Sequence, residues 1–238
     1  MKRIVTRIFL LSCLLLPFLL SSASAAFTFS DDRFAGDFTT ENLDRIIEEY
    51  ELHPGWFWTT EAGVPQTFHG VEDAPGWTDT AVNKNNYTEY LKGRYGCRWG
   101  IDDVWYLAPG RGGYGECFGF AQFVGYLLSG DYNPHKNWDF FYHLEDAGGL
   151  QVGDILRTEF KAGGKVYRHS AVVYSVSEDE ILFLQVSGGY YNKIYLSGFS
   201  DGYHLDLRKL EDLEKIRNKK ICRSPLSLAS PAEEENPA

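Results

Sequence analysis

The side chain best suited to nucleophilic chemistry in this sequence is the thiol of Cys117. It stands where the glycine-rich segment 93–116 gives way to an apolar stretch that is predicted to be a buried helix. Unpaired N–H groups at a helix N-terminus stabilise the thiolate, which is the nucleophilic form of cysteine. The position therefore favours covalent catalysis. The alternative is a core thiol packed beside Phe118 and Phe120.

A candidate general base follows at His169. It lies ahead of the apolar run 171–173, separated from it by Ser170, and this run is typical of a buried strand. An imidazole at the mouth of a strand is able to take the thiol proton of Cys117 and form an ion pair with the thiolate. The alternative is an exposed histidine at a sheet edge.

A general base also needs a partner for its second ring nitrogen. Gln185 is the lone polar residue in the apolar run 181–186, on the strand predicted to follow that of His169. Its amide oxygen is a suitable acceptor for the imidazole N–H. Ser187 is the second choice, since it lies two residues on and shares the same strand face. The alternative is a glutamine on a solvated face.

These residues need a helix and a sheet to position them. The periodicity predicts an amphipathic helix at 40–52, a long irregular region at 53–85, a short helix at 87–92 and a buried helix at 117–128. It predicts strands at 152–157, 166–176 and 180–186, further strands at 191–196 and 203–207, and a charged surface helix at 208–221. Helices followed by an antiparallel meander indicate an α+β fold.

The two ends of the chain predict segments outside the fold. Residues 1–26 combine a basic start, an apolar run and an Ala-x-Ala site ending at Ala25, which is typical of a secretory signal peptide. We expect a secreted or periplasmic, cell-envelope protein, cleaved near Ala25 and without stable membrane insertion afterwards. The alternatives are an uncleaved anchor and a lipoprotein modified at Cys13. Residues 223–238, rich in glutamate and proline, predict a disordered tail.

Charge and cysteine content limit the functions further. The net charge of −10 over 238 residues becomes −13 after signal cleavage, which argues against nucleic acid as a partner. The histidines lack paired ligand spacing, so we expect no metal and no cofactor. Cleavage leaves Cys97, Cys117 and Cys222, an odd number that leaves at least one thiol unpaired within the chain. The sequence does not fix the distance between Cys97 and Cys222, which decides whether they form a disulfide.

The order of these motifs resembles the papain-like NlpC/P60 and CHAP superfamily of cysteine peptidases and amidases. The shared features are a cysteine opening a helix, a Gly-Asp-Ile-Leu strand entry at 153–156, a His-Ser-Ala-Val-Val strand at 169–173 and a polar residue on the next strand. The resemblance implies that Cys117 is the nucleophile, His169 the base and Gln185 the orienting residue. It also implies that the Asp of the strand entry is structural.

The resemblance further implies a domain organisation. It places a papain-like catalytic domain at 93–222, in which the helix that carries the cysteine packs on an antiparallel sheet. Residues 27–92 then form an N-terminal extension with one helix and a long loop region.

The oxyanion of acyl transfer needs hydrogen-bond donors. The backbone N–H of Cys117 is one donor. Tyr114 and Tyr95 are candidates for the second, since family members often use a tyrosine there. Trp99 is a candidate for lining the cleft, because stacked aromatics suit sugars and peptide stems. The alternative for all three aromatic residues is ordinary packing.

The sequence therefore predicts an exported cysteine hydrolase that cleaves amide bonds, with peptidoglycan stem peptides or a related peptide-like amide as substrate. One alternative is a catalytically silent module on the same fold that binds the cell wall or another ligand. The other is an acyltransferase or transglutaminase-like enzyme that uses the same triad.

Overall fold

A computed structural model describes residues 31–61, 64–70, 73, 116–131, 133–162, 165–187, 192–200 and 206–227. The helices are α1 (Thr40–Glu49), α2 (Glu116–Ser129), α3 (Pro134–Asn137) and α4 (Leu210–Glu214). The strands are β1 (Phe57–Glu61), β2 (Val64–Phe68), β3 (Asp139–Phe141), β4 (Ile155–Ala162), β5 (Lys165–Val176), β6 (Ile181–Ser187), β7 (Lys193–Ser197) and β8 (Lys219–Arg223).

The strands form one sheet in the order β2-β1-β7-β6-β5-β4-β8-β3. Each pair of neighbours is antiparallel. The centre is the meander β4-β5-β6-β7, which the sequence predicts from short turns between apolar runs. The β4–β5 hairpin closes with Ala162 opposite Lys165, as the Gly-Gly turn between them predicts. The α+β class is confirmed.

Helix α2 is buried along almost its whole length, because its sequence is apolar on every side. Phe120 and Val124 pack in one core with Val172 of β5 and Leu184 of β6. The alternate residues of the same strands, such as Ala171, belong to a second core on the opposite face of the sheet. The helix that carries Cys117 therefore packs against the central strands.

Helix α1 confirms the predicted amphipathic helix. The Thr39 side chain caps it by accepting a hydrogen bond of 3.2 Å from the N–H of Asn42. Leu43, Ile46 and Ile47 face the core with α2. The helix ends at Glu49, and Leu52, which the prediction included in the helix, is buried just beyond its end.

The irregular region predicted at 53–85 is wrong in part, because it contains the β1–β2 hairpin. The Trp58 side chain is fully buried and meets the Phe120 ring edge-on at 5.4 Å between centroids. Strand β1 pairs with β7, so the hairpin extends the same sheet. The pairing partner lies more than 130 residues away, and local composition rich in turn residues gives no sign of it. The helix predicted at 87–92 lies outside the described residues.

The C-terminal predictions also need correction. The helix predicted at 208–221 is limited to Leu210–Glu214, and Lys219–Arg223 is instead a strand between β4 and β3. Ladder hydrogen bonds and the burial of Ile221 and Cys222 override the charged composition. The predicted tail begins too early, since the Arg223 side chain is buried. Residues 228–238 lie outside the described residues.

The predicted signal peptide also lies outside the described residues. Within the part of the chain that the structure describes, none of the helices combines the length and apolar character that a bilayer crossing requires.

Candidate active site

Cys117 is the second residue of α2, and its thiol lies beside β5. Among the described residues, the pairing of β6 with β5 begins at Ala171, just after the residues of β5 that contact the thiol. The Sγ atom is 3.8 Å from the carbonyl oxygen of Arg168, and the backbone N–H of Ser170 donates to it. As a whole residue, Cys117 is partly exposed.

His169 lies between these two residues on β5 and forms a hydrogen bond with the Cys117 side chain. On the other side of the ring, Nε2 is 2.9 Å from Oε1 of Gln185 on β6. Since Nε2 is engaged there, Nδ1 is the ring nitrogen left for the sulfur. The structure therefore brings together the three side chains that the sequence analysis singled out.

The orientation of the Gln185 amide follows from its other contacts. Its nitrogen donates to the Ser197 hydroxyl at 2.9 Å and to the carbonyl oxygen of Gly198 at 2.8 Å. A carbonyl only accepts, so the amide nitrogen must lie on that side and Oε1 must face His169. The backbone N–H of Ser200, at 3.3 Å, also donates to Oε1. His169 Nε2 is consequently the donor, and Nδ1 is the ring nitrogen that faces the sulfur for proton exchange.

Packing also fixes the imidazole plane. His169 is only 6% exposed, and its ring meets the Phe199 ring at 5.3 Å between centroids and 68° between planes. The bend at Gly198 holds this aromatic residue and the carbonyl for Gln185 in place. A Cβ at position 198 would lie 2.2 Å from Oδ1 of Asp206, 2.5 Å from Cγ of Arg208 and 3.0 Å from the backbone carbonyl carbon of Leu207, so a larger residue would displace the neighbouring segment.

The surroundings of Cys117 favour its thiolate. Burial raises the pKa of the thiol, but the charge and the hydrogen bond of the His169 imidazole lower it. The Ser170 N–H and the charge of Arg157 add to the lowering. The pKa of Cys117 therefore lies below its ordinary value, as an activated nucleophile requires.

A second thiol and imidazole pair provides an internal comparison. The Sγ atom of Cys222 on β8 is 3.7 Å from Nδ1 of His135 on α3, and the thiol is fully buried. Burial raises the pKa of Cys222 to about 11, and burial together with nearby cations lowers the pKa of His135 to about 4. Both groups are therefore neutral at pH 7. Contact with a histidine alone does not activate a thiol here.

The remaining sequence candidates are located as follows. Tyr114, Tyr95 and Trp99 lie outside the described residues, as does Cys97. Cys222 is a free thiol. Ser187 is the last residue of β6, and the amide of Gln185 occupies the position beside the imidazole. Among the described residues, no group of three His, Cys, Asp or Glu side chains could hold a metal ion.

Sequence reasoning missed two parts of this site. Arg157 lies on β4 opposite Ser170 and close enough to Cys117 for its charge to act on the thiol. The available signal was a lone arginine directly after the Gly-Asp-Ile-Leu segment. The Gly198 carbonyl, which orients Gln185, left no signal because it is a backbone group beyond the end of β7.

We expect Gln185→Met to lower kcat for amide hydrolysis about 10²-fold, because the imidazole loses the acceptor that sets its orientation. Gln122→Met is the matched control. It removes another buried glutamine amide, which bonds to Asn133 and to the His135 N–H rather than to His169. Steady-state kinetics of both variants provide the measurement. Equal losses of kcat would contradict an orienting role for Gln185.

Comparisons of the chain with protein-family models, with curated proteins and with solved structures find no match.

Proposed function

We propose that this protein is an exported cysteine hydrolase of amide bonds with a papain-like catalytic arrangement, acting on peptidoglycan stem peptides or closely related peptide-like amides. The observation that carries the proposal is the continuous hydrogen-bonded series from Cys117 through His169 to Gln185. The basic and apolar start of the sequence supports export.

The proposed reaction begins with attack of the Cys117 thiolate on the substrate carbonyl carbon. The backbone N–H of Cys117 is among the first four of α2, which lack a partner within the helix, and it serves as an oxyanion donor. His169 gives its Nδ1 proton to the amine as the carbon–nitrogen bond breaks, which leaves a thioester on Cys117. A water then gives a proton back to Nδ1 and attacks the thioester, which releases the acid and restores the thiolate.

The role of Gln185 follows from the charge that the imidazole carries. The Cys117 thiolate and the protonated His169 ring form an ion pair before attack. Oε1 of Gln185 accepts a hydrogen bond from Nε2–H in both charge states of the ring. The amide thus keeps Nδ1 directed at the sulfur throughout the cycle. An amide acceptor stabilises the imidazolium less than a carboxylate would, which favours proton transfer to the leaving amine.

Alkylation of Cys117 tests this proposal without a substrate. We expect iodoacetamide to label the wild-type thiol at pH 6–7, below the ordinary cysteine pKa of about 8.5. In His169→Ala, burial still raises the pKa of Cys117, but the imidazole that lowers it is gone. The labelling rate at pH 7 should therefore fall more than about tenfold, and the midpoint of the pH profile should move to higher pH. Mass spectrometry of the labelled peptide over a pH series gives both quantities.

His135→Ala is the matched control, because it removes the histidine beside the buried thiol of Cys222. We expect it to leave the pH profile of Cys117 close to that of the wild type. If Cys117 is labelled slowly in both the wild type and His169→Ala, with the pH dependence of an ordinary thiol, the proposed enzymatic function is refuted. That result would favour the catalytically silent binding module. Efficient transfer of the acyl group to an added amine would favour the transferase.

A further inference from the structure

Arg157 lies beside the nucleophile and has no catalytic task in the proposed reaction. Its Nη1 donates to the Ser170 hydroxyl at 2.8 Å. Its guanidinium carbon is 4.2 Å from the centroid of the Phe118 ring. Phe118 follows Cys117 in α2, and Ser170 supplies the N–H that donates to the thiolate. The guanidinium is therefore held by two residues that flank the reactive sulfur.

No carboxylate of the described residues forms an ion pair with Arg157. Four other described arginines do form ion pairs with carboxylates, namely Arg33, Arg168, Arg208 and Arg223. The first charge that acts on the partly buried guanidinium of Arg157 is instead the Cys117 thiolate. An acidic chain of net charge −10 offers many carboxylates, yet the cation beside the nucleophile is not paired with one.

The remaining donors of Arg157 are accessible. A guanidinium has five N–H groups, and the contact with Ser170 uses one nitrogen. Arg157 is partly exposed, and its other nitrogens form no hydrogen bond with the described residues, which leaves them available to a ligand. A fork of N–H groups on a partly desolvated cation matches a carboxylate, which it binds through two parallel charge-assisted hydrogen bonds.

We propose that Arg157 binds a carboxylate of the substrate, so that the enzyme prefers amides with a free carboxylate close to the scissile carbonyl. This inference rests on the proposed hydrolase function and specifies its substrate class. The acidic chain repels anions at long range. A cation beside the nucleophile would offset this repulsion and attract the carboxylate of the substrate. Phe118 holds the guanidinium face, so the N–H edge is left for the ligand.

Two alkylating reagents of matched size test the subsite. Iodoacetate carries the carboxylate, iodoacetamide is its neutral counterpart, and both alkylate the same sulfur. The quantity is the ratio of their rates at Cys117, which cancels any change in the thiolate fraction. We expect Arg157→Gln to lower the iodoacetate to iodoacetamide ratio about tenfold, a change that one charge-assisted hydrogen bond supports. Arg157→Lys keeps the charge without the fork of N–H groups, so its ratio should lie between those of the wild type and of Arg157→Gln.

Lys220→Gln is the matched control, because Lys220 is the cross-strand partner of Arg157 on β8 and contacts the Phe140 ring instead of the thiol region. It removes the same charge and should change the ratio much less. An unchanged ratio in Arg157→Gln would overturn the carboxylate subsite.

The wild-type protein provides a test that needs no variant. Its rate ratio at Cys117 should exceed the ratio measured for reduced glutathione, and an equal or lower ratio would overturn the subsite. Failure of the hydrolase proposal differs from failure of the carboxylate subsite. It would appear as slow labelling by iodoacetamide that does not depend on His169.

Discussion

Cys117→Ala is expected to reduce the release of amino groups from purified peptidoglycan by at least about 10³-fold, because the variant lacks the sulfur that is proposed to attack the carbonyl. Alanine is a good helix former, so α2 should keep its conformation in the variant. The loss should therefore appear in kcat, while the far-ultraviolet circular dichroism and the unfolding midpoint remain close to those of the wild type.

Cys222→Ala is the control for this prediction. It removes the second described thiol, which is buried, neutral and in contact with His135. We expect it to lower stability modestly by leaving a small cavity and to retain hydrolysis. Retention of hydrolysis in Cys117→Ala, or equal loss in both variants, would refute Cys117 as the nucleophile. Rapid alkylation together with no release from peptidoglycan would refute the substrate class alone.

Arg223→Met should lower the free energy of unfolding by about 3–5 kcal/mol, because it leaves the Asp154 carboxylate buried without its cation. Two guanidinium nitrogens of Arg223 donate to Asp154 at 2.8 and 2.6 Å, and both side chains are almost fully buried. The same guanidinium also donates to the carbonyl oxygens of Ala147 and Gly149. Urea unfolding followed by tryptophan fluorescence provides the measurement.

Arg208→Met is the matched control, since Arg208 also forms ion pairs with carboxylates, those of Glu180 and Asp206, but is exposed. We expect a much smaller loss of stability from it. The double variant Asp154→Asn/Arg223→Met should recover part of the loss, because the buried negative charge is gone. Equal destabilisation by the Arg208 and Arg223 variants would show that burial of the pair does not determine its contribution.

The ion pair explains two features of the sequence at once. The Asp of the Gly-Asp-Ile-Leu segment, which the family resemblance implies to be structural, is held by the last residue of β8. That contact joins positions 69 residues apart and fixes β8 beside β4. Arg223 falls in the segment 223–238, whose glutamate and proline content predicts a disordered tail. Local composition does not report a partner so distant along the chain.

Local patterns were sufficient for much of the fold. Helices α1 and α2 and the strands of the central meander follow from apolar periodicity and short turns, which act over a few residues. The β1–β2 hairpin and β8 did not follow from them. Both are stabilised by pairing with distant strands and by burial of single residues such as Trp58 and Ile221.

The sequence by itself determined the candidate side chains and the order in which they occur. Cys117 at a helix start, His169 ahead of an apolar strand and Gln185 on the next strand are local observations. The described residues, however, contain two contacting pairs of a cysteine and a histidine, and only the tertiary structure gives the reason why their thiols differ. The pKa of each thiol depends on burial, on nearby charges and on donors in space. The charge and hydrogen bond of His169 lower the pKa of Cys117, whereas burial raises that of Cys222.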